Sequence, residues 1–188
     1  VNKVEEIKPE IICPSHGGIY KNPEFILNAY REWTSDVPKN KVVIPYVSMY
    51  QNTERMAQRL EKGLREEGVE IHKFDLITDD IGDLAVELVD AATVVFGASM
   101  VLAMPHPYAF FGVYLTNALR PNVKFMSVIG SYGWGGNLLG KIEENTNLLQ
   151  AQRLDDIIVK GRAKEEDMER IDALAHTIAQ KHREIGAK

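Results

Sequence analysis

The sequence predicts an α/β fold built on a parallel β-sheet with helices on both faces. From position 42 onwards, short apolar runs rich in β-branched residues alternate with amphipathic stretches of helical periodicity. The runs at 42–47 and 92–97 consist almost entirely of apolar and aromatic residues, which is typical of strands covered by helices on both sides. Such sheets bind ligands beyond the carboxyl ends of their strands, so we look for function there.

We assign each element from its periodicity and from the residues that begin or end it. Strands are expected at 42–47, 69–74, 92–97, 123–129 and 155–159, and helices at 53–67, 80–90, 105–119, 137–145 and 165–185. Gly68 is expected to cap the first of these helices, and Gly97 and Gly130 to end the third and fourth strands. The last helix has acids near its start and bases near its end, as the helix dipole favours.

The first forty residues differ from the rest and are predicted to be a separate segment. A short apolar strand near its start is followed by a turn rich in proline and glycine. Asn22 and Pro23 are typical of a helix start, and apolar residues at three- and four-residue spacing predict a helix over 24–34. We expect the domains to be 1–40 and 41–188.

Composition narrows the class of protein. The chain has 188 residues, of which 45% are hydrophobic and 26% charged, and no apolar run approaches the ~20 residues of a membrane helix. Cys13 is the only cysteine, so no intrachain disulfide can form and a reducing cytoplasmic setting is expected. The net charge of -5, with bases dispersed among acids, argues against nucleic acid as a partner.

Three strand ends carry unusual chemistry, and the fold would bring them together. They span 48–53, 97–107 and 130–136. The first offers side-chain donors beside a helix start, where backbone N–H groups lack intrahelical partners. These donors are Ser48, Tyr50, Asn52 and Thr53. The loop lacks the lysine of a P-loop and the spaced glycines of a dinucleotide site, so a monophosphate fits better than ATP. The alternative is a polar loop with an ordinary helix cap.

The loop at 131–136 combines three glycines with two large aromatic residues, Tyr132 and Trp134. Glycine lets the backbone approach a ligand closely, and an aromatic ring at a loop tip is poorly explained by core packing. A flat aromatic ligand would account for both features. The alternative is that Trp134 packs back against the neighbouring helix.

These residues resemble the flavodoxin-like domain of flavodiiron proteins, also called A-type flavoproteins. The runs SMYQNT at 48–53, GSYGWGG at 130–136 and ALRP at 118–121 carry the resemblance. The run CPSHGGIYKNP at 13–23 is similar to the junction at which the family's metallo-β-lactamase-like diiron domain ends. By this resemblance, residues 1–40 are the remnant of that upstream domain with a linker helix, and residues 41–188 are the flavodoxin-like FMN-binding domain. The resemblance implies a three-layer, doubly wound, five-stranded parallel sheet in the order 2-1-3-4-5, with FMN bound non-covalently.

The resemblance places the FMN phosphate in the first loop and the isoalloxazine ring between the other two. The implied cofactor-binding residues are Ser48, Met49, Tyr50, Gln51, Asn52, Thr53, Ser99, Met100, Val101, Leu102, Ala103, Ser131, Tyr132, Gly133, Trp134, Gly135 and Gly136. Gln51 stands where many relatives have glycine, which matters only if this residue needs a positive φ. The second loop departs further, because 98–104 is almost wholly apolar and would suit either a flavin ring or a protein interface.

In this family, by resemblance, the flavin passes electrons to a diiron centre that reduces dioxygen or nitric oxide. His16 matches the family's last iron ligand but stands alone, because the other histidines lack ligand spacing. They are His72, His106, His176 and His182. We therefore expect no metal site in this chain and interpret it as the FMN domain of an incomplete flavodiiron protein.

The expected partners are an electron donor, rubredoxin-like or other, and further copies of the chain, since the family forms head-to-tail dimers. No membrane partner is expected. Two other functions stay open. One is a flavin-free interaction or oligomerisation module, motivated by the apolar 98–104. The other is an NAD(P)H:flavin or quinone reductase, which would need a nicotinamide site that no motif marks. No catalytic residue is assigned.

Overall fold

The computed structural model describes residues 1–188. Its helices are α1 (Asn2–Ile7), α2 (Pro23–Trp33), α3 (Asn52–Glu66), α4 (Ile81–Leu88), α5 (Pro107–Leu119), α6 (Leu138–Glu144) and α7 (Glu165–Glu184). Its strands are β1 (Lys39–Tyr46), β2 (Glu70–Asp75), β3 (Ala91–Val101), β4 (Met104–Pro105), β5 (Phe125–Tyr132), β6 (Gln152–Arg153) and β7 (Ile157–Lys160). None of the helices combines the length and apolar composition needed to cross a membrane.

The central sheet runs in the order β2-β1-β3-β5, with β6 and β7 sharing the place beside β5. All of these pairings are parallel, so the predicted α/β fold and the strand order 2-1-3-4-5 are confirmed. There are seven strands rather than five. The strand predicted at 155–159 is observed as β7, whereas β6 was not predicted. Between β6 and β7 the Asp156 carboxylate accepts the Val128 N–H at 2.8 Å, where a regular strand would offer a carbonyl. The seventh is the short antiparallel β4.

Helices cover both faces of the sheet and bury a separate apolar core on each. α3 and α7 pack on one face, through side chains such as Leu60 and Ile171. α4, α5 and α6 pack on the other, through side chains such as Leu84 and Val113. The sheet therefore has no exposed face, which agrees with the apolar character of its central strands.

Two glycines lie inside strands that they were expected to end. A Cβ on Gly97 would collide with the Tyr46 side chain of the neighbouring strand, and a Cβ on Gly130 would collide with the Ala98 carbonyl oxygen. Glycine is therefore needed at both positions for close strand approach, and it does not mark the end of either strand. As a result β3 and β5 both extend past the predicted ends.

The apolar stretch 98–104, predicted to be a loop, is mostly β-hairpin. The end of β3 turns back and pairs antiparallel with β4. Leu102 and Ala103 form the turn with φ values of +50° and +64°. A two-residue hairpin turn of this kind needs positive φ at both positions, a conformation usually taken by glycine or asparagine. The hairpin thus projects an apolar tip, and Leu102 is 94% exposed.

The chain divides into two compact units, Val1–Asp36 and Val37–Lys188. Within the first unit, the predicted apolar strand is reduced to a single bridge between Ile12 and Tyr20, and α2 occupies the predicted helix position. The interpretation of residues 1–40 as the remnant of an upstream domain stays a prediction.

The two ends of the second unit are joined by backbone hydrogen bonds. The Lys188 N–H donates to the Pro38 carbonyl at 3.1 Å, and the Asn40 N–H donates to the Lys188 carbonyl at 2.7 Å. Pro38 precedes β1, so both ends of the unit lie at the amino edge of the sheet, opposite the carboxyl ends of its strands.

A buried histidine lies close to this junction. His182 of α7 is 1% exposed, with Nδ1 2.8 Å from Asn40 Oδ1 and Nε2 2.7 Å from Thr93 Oγ1. The Asn40 amide nitrogen donates to the Gly68 carbonyl, which leaves Oδ1 as the acceptor. His182 therefore donates from Nδ1 and accepts the Thr93 hydroxyl at Nε2, as a neutral imidazole. Burial lowers the pKa of His182 to about 4.

Candidate functional site

A cavity of about 720 Å³ opens at the carboxyl ends of the central strands. Its lining comes from four connections, at 48–53 together with Arg55, 99–103, 131–134 and 161–162. The parallel register brings them together, because Ser99 at the end of β3 pairs directly with Ser131 at the end of β5. This is the edge at which open α/β sheets bind their ligands.

The structure brings most of the predicted site residues into this one cavity. Every predicted residue of the first two loops lines it, together with Ser131, Tyr132, Gly133 and Trp134. Gly135 and Gly136 lie outside the lining. Gly136 has φ +108°, and a Cβ there would collide with the Met100 side chain, so this glycine lets the hairpin pack against the third loop. The binding roles of all these residues stay predictions.

Three hydroxyl groups of the cavity lining are buried without a partner. Ser48 Oγ, Thr53 Oγ1 and Ser99 Oγ are shielded from solvent and make no hydrogen bond within the protein. Thr53 and Ser99 are only 1% and 8% exposed. Buried hydroxyls are nearly always hydrogen-bonded, because leaving them unpaired costs about 1–3 kcal/mol each. The lining therefore fits a ligand with several hydrogen-bonding oxygens, such as a phosphate monoester.

The backbone at the start of α3 also favours an anion. The first N–H groups of this fifteen-residue helix lack intrahelical acceptors, and the positive end of the helix dipole points at the cavity. Gln51, the residue before the helix, has φ +60° and makes no side-chain cap bond. Gln51, which stands where many relatives have glycine, therefore does adopt a positive φ.

The Asn52 side chain is engaged within the protein. Its Nδ2 donates to the Gly161 carbonyl at 2.6 Å, and its Oδ1 accepts the Ala163 N–H at 2.9 Å. These two bonds fix the connection after β7 against the start of α3. A contribution of Asn52 to anion binding is thus expected from its backbone N–H, while its side chain holds Gly161 and Arg162 in the lining.

The remaining walls are apolar and aromatic. The hairpin contributes the apolar wall, and Tyr132 and Trp134 of the third loop also line the cavity. Trp134 is 90% exposed, so it does not pack against the neighbouring helix as the alternative interpretation required. Large exposed apolar side chains around a cavity are typical of a binding site.

Sequence reasoning missed three lining residues, Arg55, Gly161 and Arg162. The two arginines are the only charged residues of the lining, which holds no acidic side chain although the chain carries a net charge of -5. Arg55 follows the first loop within one helical turn, a position that could have identified it. Gly161 and Arg162 follow the last strand, whose end carries no motif.

The histidines do not contribute to the cavity. His106 instead caps α5, where its Nδ1 accepts the Tyr108 N–H at 3.3 Å. His16 lies outside the group of three metal-capable side chains, which consists of Glu70, His72 and Glu87. That group is at the amino end of β2, and the Lys41 ammonium already lies 2.9 Å from the Glu87 carboxylate.

Comparison with known proteins agrees with this architecture. The sequence profile of the flavodoxin family, described as "Flavodoxin", matches residues 44–177. The chain is 33% identical to a nitric oxide reductase of Moorella thermoacetica, with 94% of this chain and 46% of that protein covered. It is 30% identical to rubredoxin-oxygen oxidoreductase of Megalodesulfovibrio gigas, with 92% and 44% covered.

Among solved structures, rubredoxin oxygen:oxidoreductase from Desulfovibrio gigas superposes with a TM-score of 0.89 and 28% identity, covering all of this chain and 49% of that one. The chain therefore spans about half the length of the relatives it matches. The resemblance inferred from the runs at 48–53 and 130–136 is confirmed by these matches.

Proposed function

The chain belongs to the flavodoxin family, whose domains bind FMN, and on this premise we propose that the cavity binds FMN and that the chain acts as an electron-transfer domain. The observation that supports this most directly is the set of unpartnered buried hydroxyls of Ser48, Thr53 and Ser99. Each desolvated, unpaired hydroxyl destabilises the fold, so three of them in one cavity favour a site that binds a ligand over a module that has lost it.

The phosphate would be held at the start of α3. Ser48 and Thr53 would donate their hydroxyl protons, and the first backbone N–H groups of the helix would complete the shell. A phosphate monoester accepts all of these bonds and is favoured by the helix dipole. The absence of a lysine from this loop agrees with a monophosphate ligand, since a nucleoside triphosphate site uses one.

The ring system would lie between the hairpin and the third loop. Tyr132 and Trp134 offer faces for stacking, and Met100, Val101 and Ala103 exclude water from one side. When bound, FMN supplies one- and two-electron transfer, and the protein positions and tunes it. The apolar hairpin wall disfavours negative charge beside it, because burial destabilises a charged group.

We further propose that the chain is the flavin domain of a longer reductase of dioxygen or nitric oxide, because the relatives so named extend well beyond the matched half. A rubredoxin-like protein is then the proposed electron donor, since one relative is named for rubredoxin. We also propose a homo-oligomer and a cytoplasmic location. The iron chemistry would belong to residues outside this chain.

The test is an anaerobic titration of the purified chain with FMN. We expect stoichiometric binding with quenched flavin fluorescence and shifted absorbance. Trp134→Ala should weaken binding and restore fluorescence, whereas the control Trp33→Ala, in the first unit, should change neither. FMN that elutes unbound from wild-type protein would contradict the proposal and favour the flavin-free module. Oxidation of NADPH by the FMN-loaded chain without any partner protein would instead favour the reductase.

A further inference from the structure

Arg55 is the one arginine of this chain with a guanidinium nitrogen that is shielded from solvent and makes no hydrogen bond. Six of the others form ion pairs: Arg31, Arg59, Arg65, Arg153, Arg170 and Arg183. Arg55 forms none, and its Nη1 is shielded from solvent without any hydrogen bond. A desolvated charged donor without an acceptor is costly, so a buried arginine is normally paired.

The surroundings of Arg55 indicate what the missing acceptor is. Arg55 lines the cavity one residue after the first three N–H groups of α3, and the unpartnered hydroxyls of Ser48, Thr53 and Ser99 line the same cavity. No acidic side chain shares the lining. The protein itself supplies no acceptor to Arg55 Nη1, and an anionic ligand with several oxygens would pair with this group and with the Ser48 and Thr53 hydroxyls.

We propose that Arg55 provides charge recognition of the phosphate in this cavity, so that the site selects the phosphorylated flavin over the uncharged one. The inference rests on the proposed function. It adds an ionic contact to a phosphate loop whose other donors are hydroxyls and backbone amides. A guanidinium is permanently charged and presents several donors in a plane, so it suits a phosphate better than a hydroxyl of similar reach.

Arg162 does not share this role to the same extent, although it lines the same cavity. Its side chain is exposed, and charges in contact with solvent are screened by salt over about 10 Å at 0.1 M ionic strength. Arg55 is partly buried and its Nη1 is desolvated. The contribution of Arg55 should therefore persist at high salt, which distinguishes it from general attraction by a positive cavity.

The experiment compares FMN with riboflavin, which has the same ring and ribityl chain but no phosphate. We expect Arg55→Met to weaken FMN binding by about 10- to 100-fold, which is the size of a charged hydrogen bond, at both 0.05 and 0.5 M salt. Riboflavin affinity should change less than about twofold. Arg55→Lys, which keeps the charge but loses the planar donor set, should fall between wild type and Arg55→Met.

Arg65→Met is the matched control, since Arg65 lies on the same helix, outside the cavity and paired with Glu61. It should leave both affinities unchanged.

Equal FMN affinity of wild type and Arg55→Met would overturn the inference. An equal loss of affinity for FMN and riboflavin would also overturn it, because it would show that Arg55 only maintains the shape of the cavity. If Arg55→Met unfolds, Arg55→Gln tests the same point, because it removes the charge but keeps a polar donor, and FMN affinity equal to wild type would overturn the inference. Wild-type protein that binds neither flavin would instead refute the proposed function.

Discussion

At the scale of single residues, one residue of the cavity lining, Gln51, has a backbone conformation that glutamine does not favour. Gln51 adopts φ +60° immediately before α3. For a residue with a Cβ, this left-handed conformation costs about 1–2 kcal/mol, whereas glycine adopts it freely. The strain lies beside the proposed phosphate site, where strained residues are often found.

Gln51→Gly should therefore stabilise the protein by up to about 1 kcal/mol, after allowing for the greater freedom of glycine in the unfolded chain. Urea unfolding of both proteins would measure the difference. Gln58→Gly is the control, since Gln58 is exposed within α3 and bonded only to Glu54. There the same change should destabilise by about 1 kcal/mol. A loss of stability at both positions would contradict a strained Gln51.

The site shows what sequence could predict about single residues. The polar loop after the first strand predicts Ser48 and Thr53, the family resemblance adds Ser99, and the structure brings all three into one cavity. Arg55 was missed because an arginine in a helical pattern is usually solvated or ion-paired, and only coordinates show that its Nη1 is buried without a partner. The hydrogen bond from the Asn52 side chain to the Gly161 carbonyl could not be predicted either, because Gly161 is more than a hundred residues away in the sequence.

At the scale of elements, periodicity predicts the order of helices and strands, but it does not predict the structural role of the glycines within the strands. Gly97 and Gly130 were interpreted as strand ends and instead permit close contact within strands. The sequence predicts a loop where this hairpin follows β3, because neither Leu102 nor Ala103 is a residue that normally marks a tight turn. Local sequence does not report such contacts with distant neighbours.

Gly63 provides a test of packing between elements. Alanine normally stabilises a helix by about 1 kcal/mol over glycine, but a Cβ on Gly63 would lie only 2.9 Å from Ala175 Cβ, between α3 and α7. We expect Gly63→Ala to destabilise by about 1–2 kcal/mol, because overpacking outweighs the gain in propensity. Thermal and urea unfolding would measure this.

The double variant Gly63→Ala/Ala175→Gly moves the glycine to the opposite helix and is the matched control. Ala175→Gly alone should cost about 1 kcal/mol. The double variant should be more stable than the sum of the two single changes by at least about 1 kcal/mol, as expected for residues in contact. Strictly additive effects would show that the helices adjust without strain.

At the scale of the whole molecule, stability depends on a charge-free histidine. His182 links α7 to the first and third strands and is neutral in the folded state. Its pKa is lowered by burial to about 4, while an exposed histidine titrates near 6.5. Between these values the unfolded chain binds more protons, so stability is complete above pH 6.5 and falls as the pH drops towards 4.

The loss assigned to His182 should reach about 3 kcal/mol by pH 4. His182→Gln should be less stable than wild type at pH 7, and the difference between the two proteins should shrink as the pH falls. Measuring this difference by urea unfolding from pH 7 to 4 cancels most of the contribution of carboxylates common to both proteins. A difference that stays constant over that range would contradict a buried, neutral His182.

The hydrogen bonds between Lys188 and the residues around Pro38 have a consequence for how this fold can be reused. Because the segment before β1 and the segment after α7 are neighbours on the side remote from the cavity, the 37–188 unit can be inserted into another polypeptide or circularly permuted without disturbing the cavity. A short linker across that junction permits new ends to be opened in an exposed turn elsewhere. The 37–188 unit can therefore be moved between polypeptides as a whole.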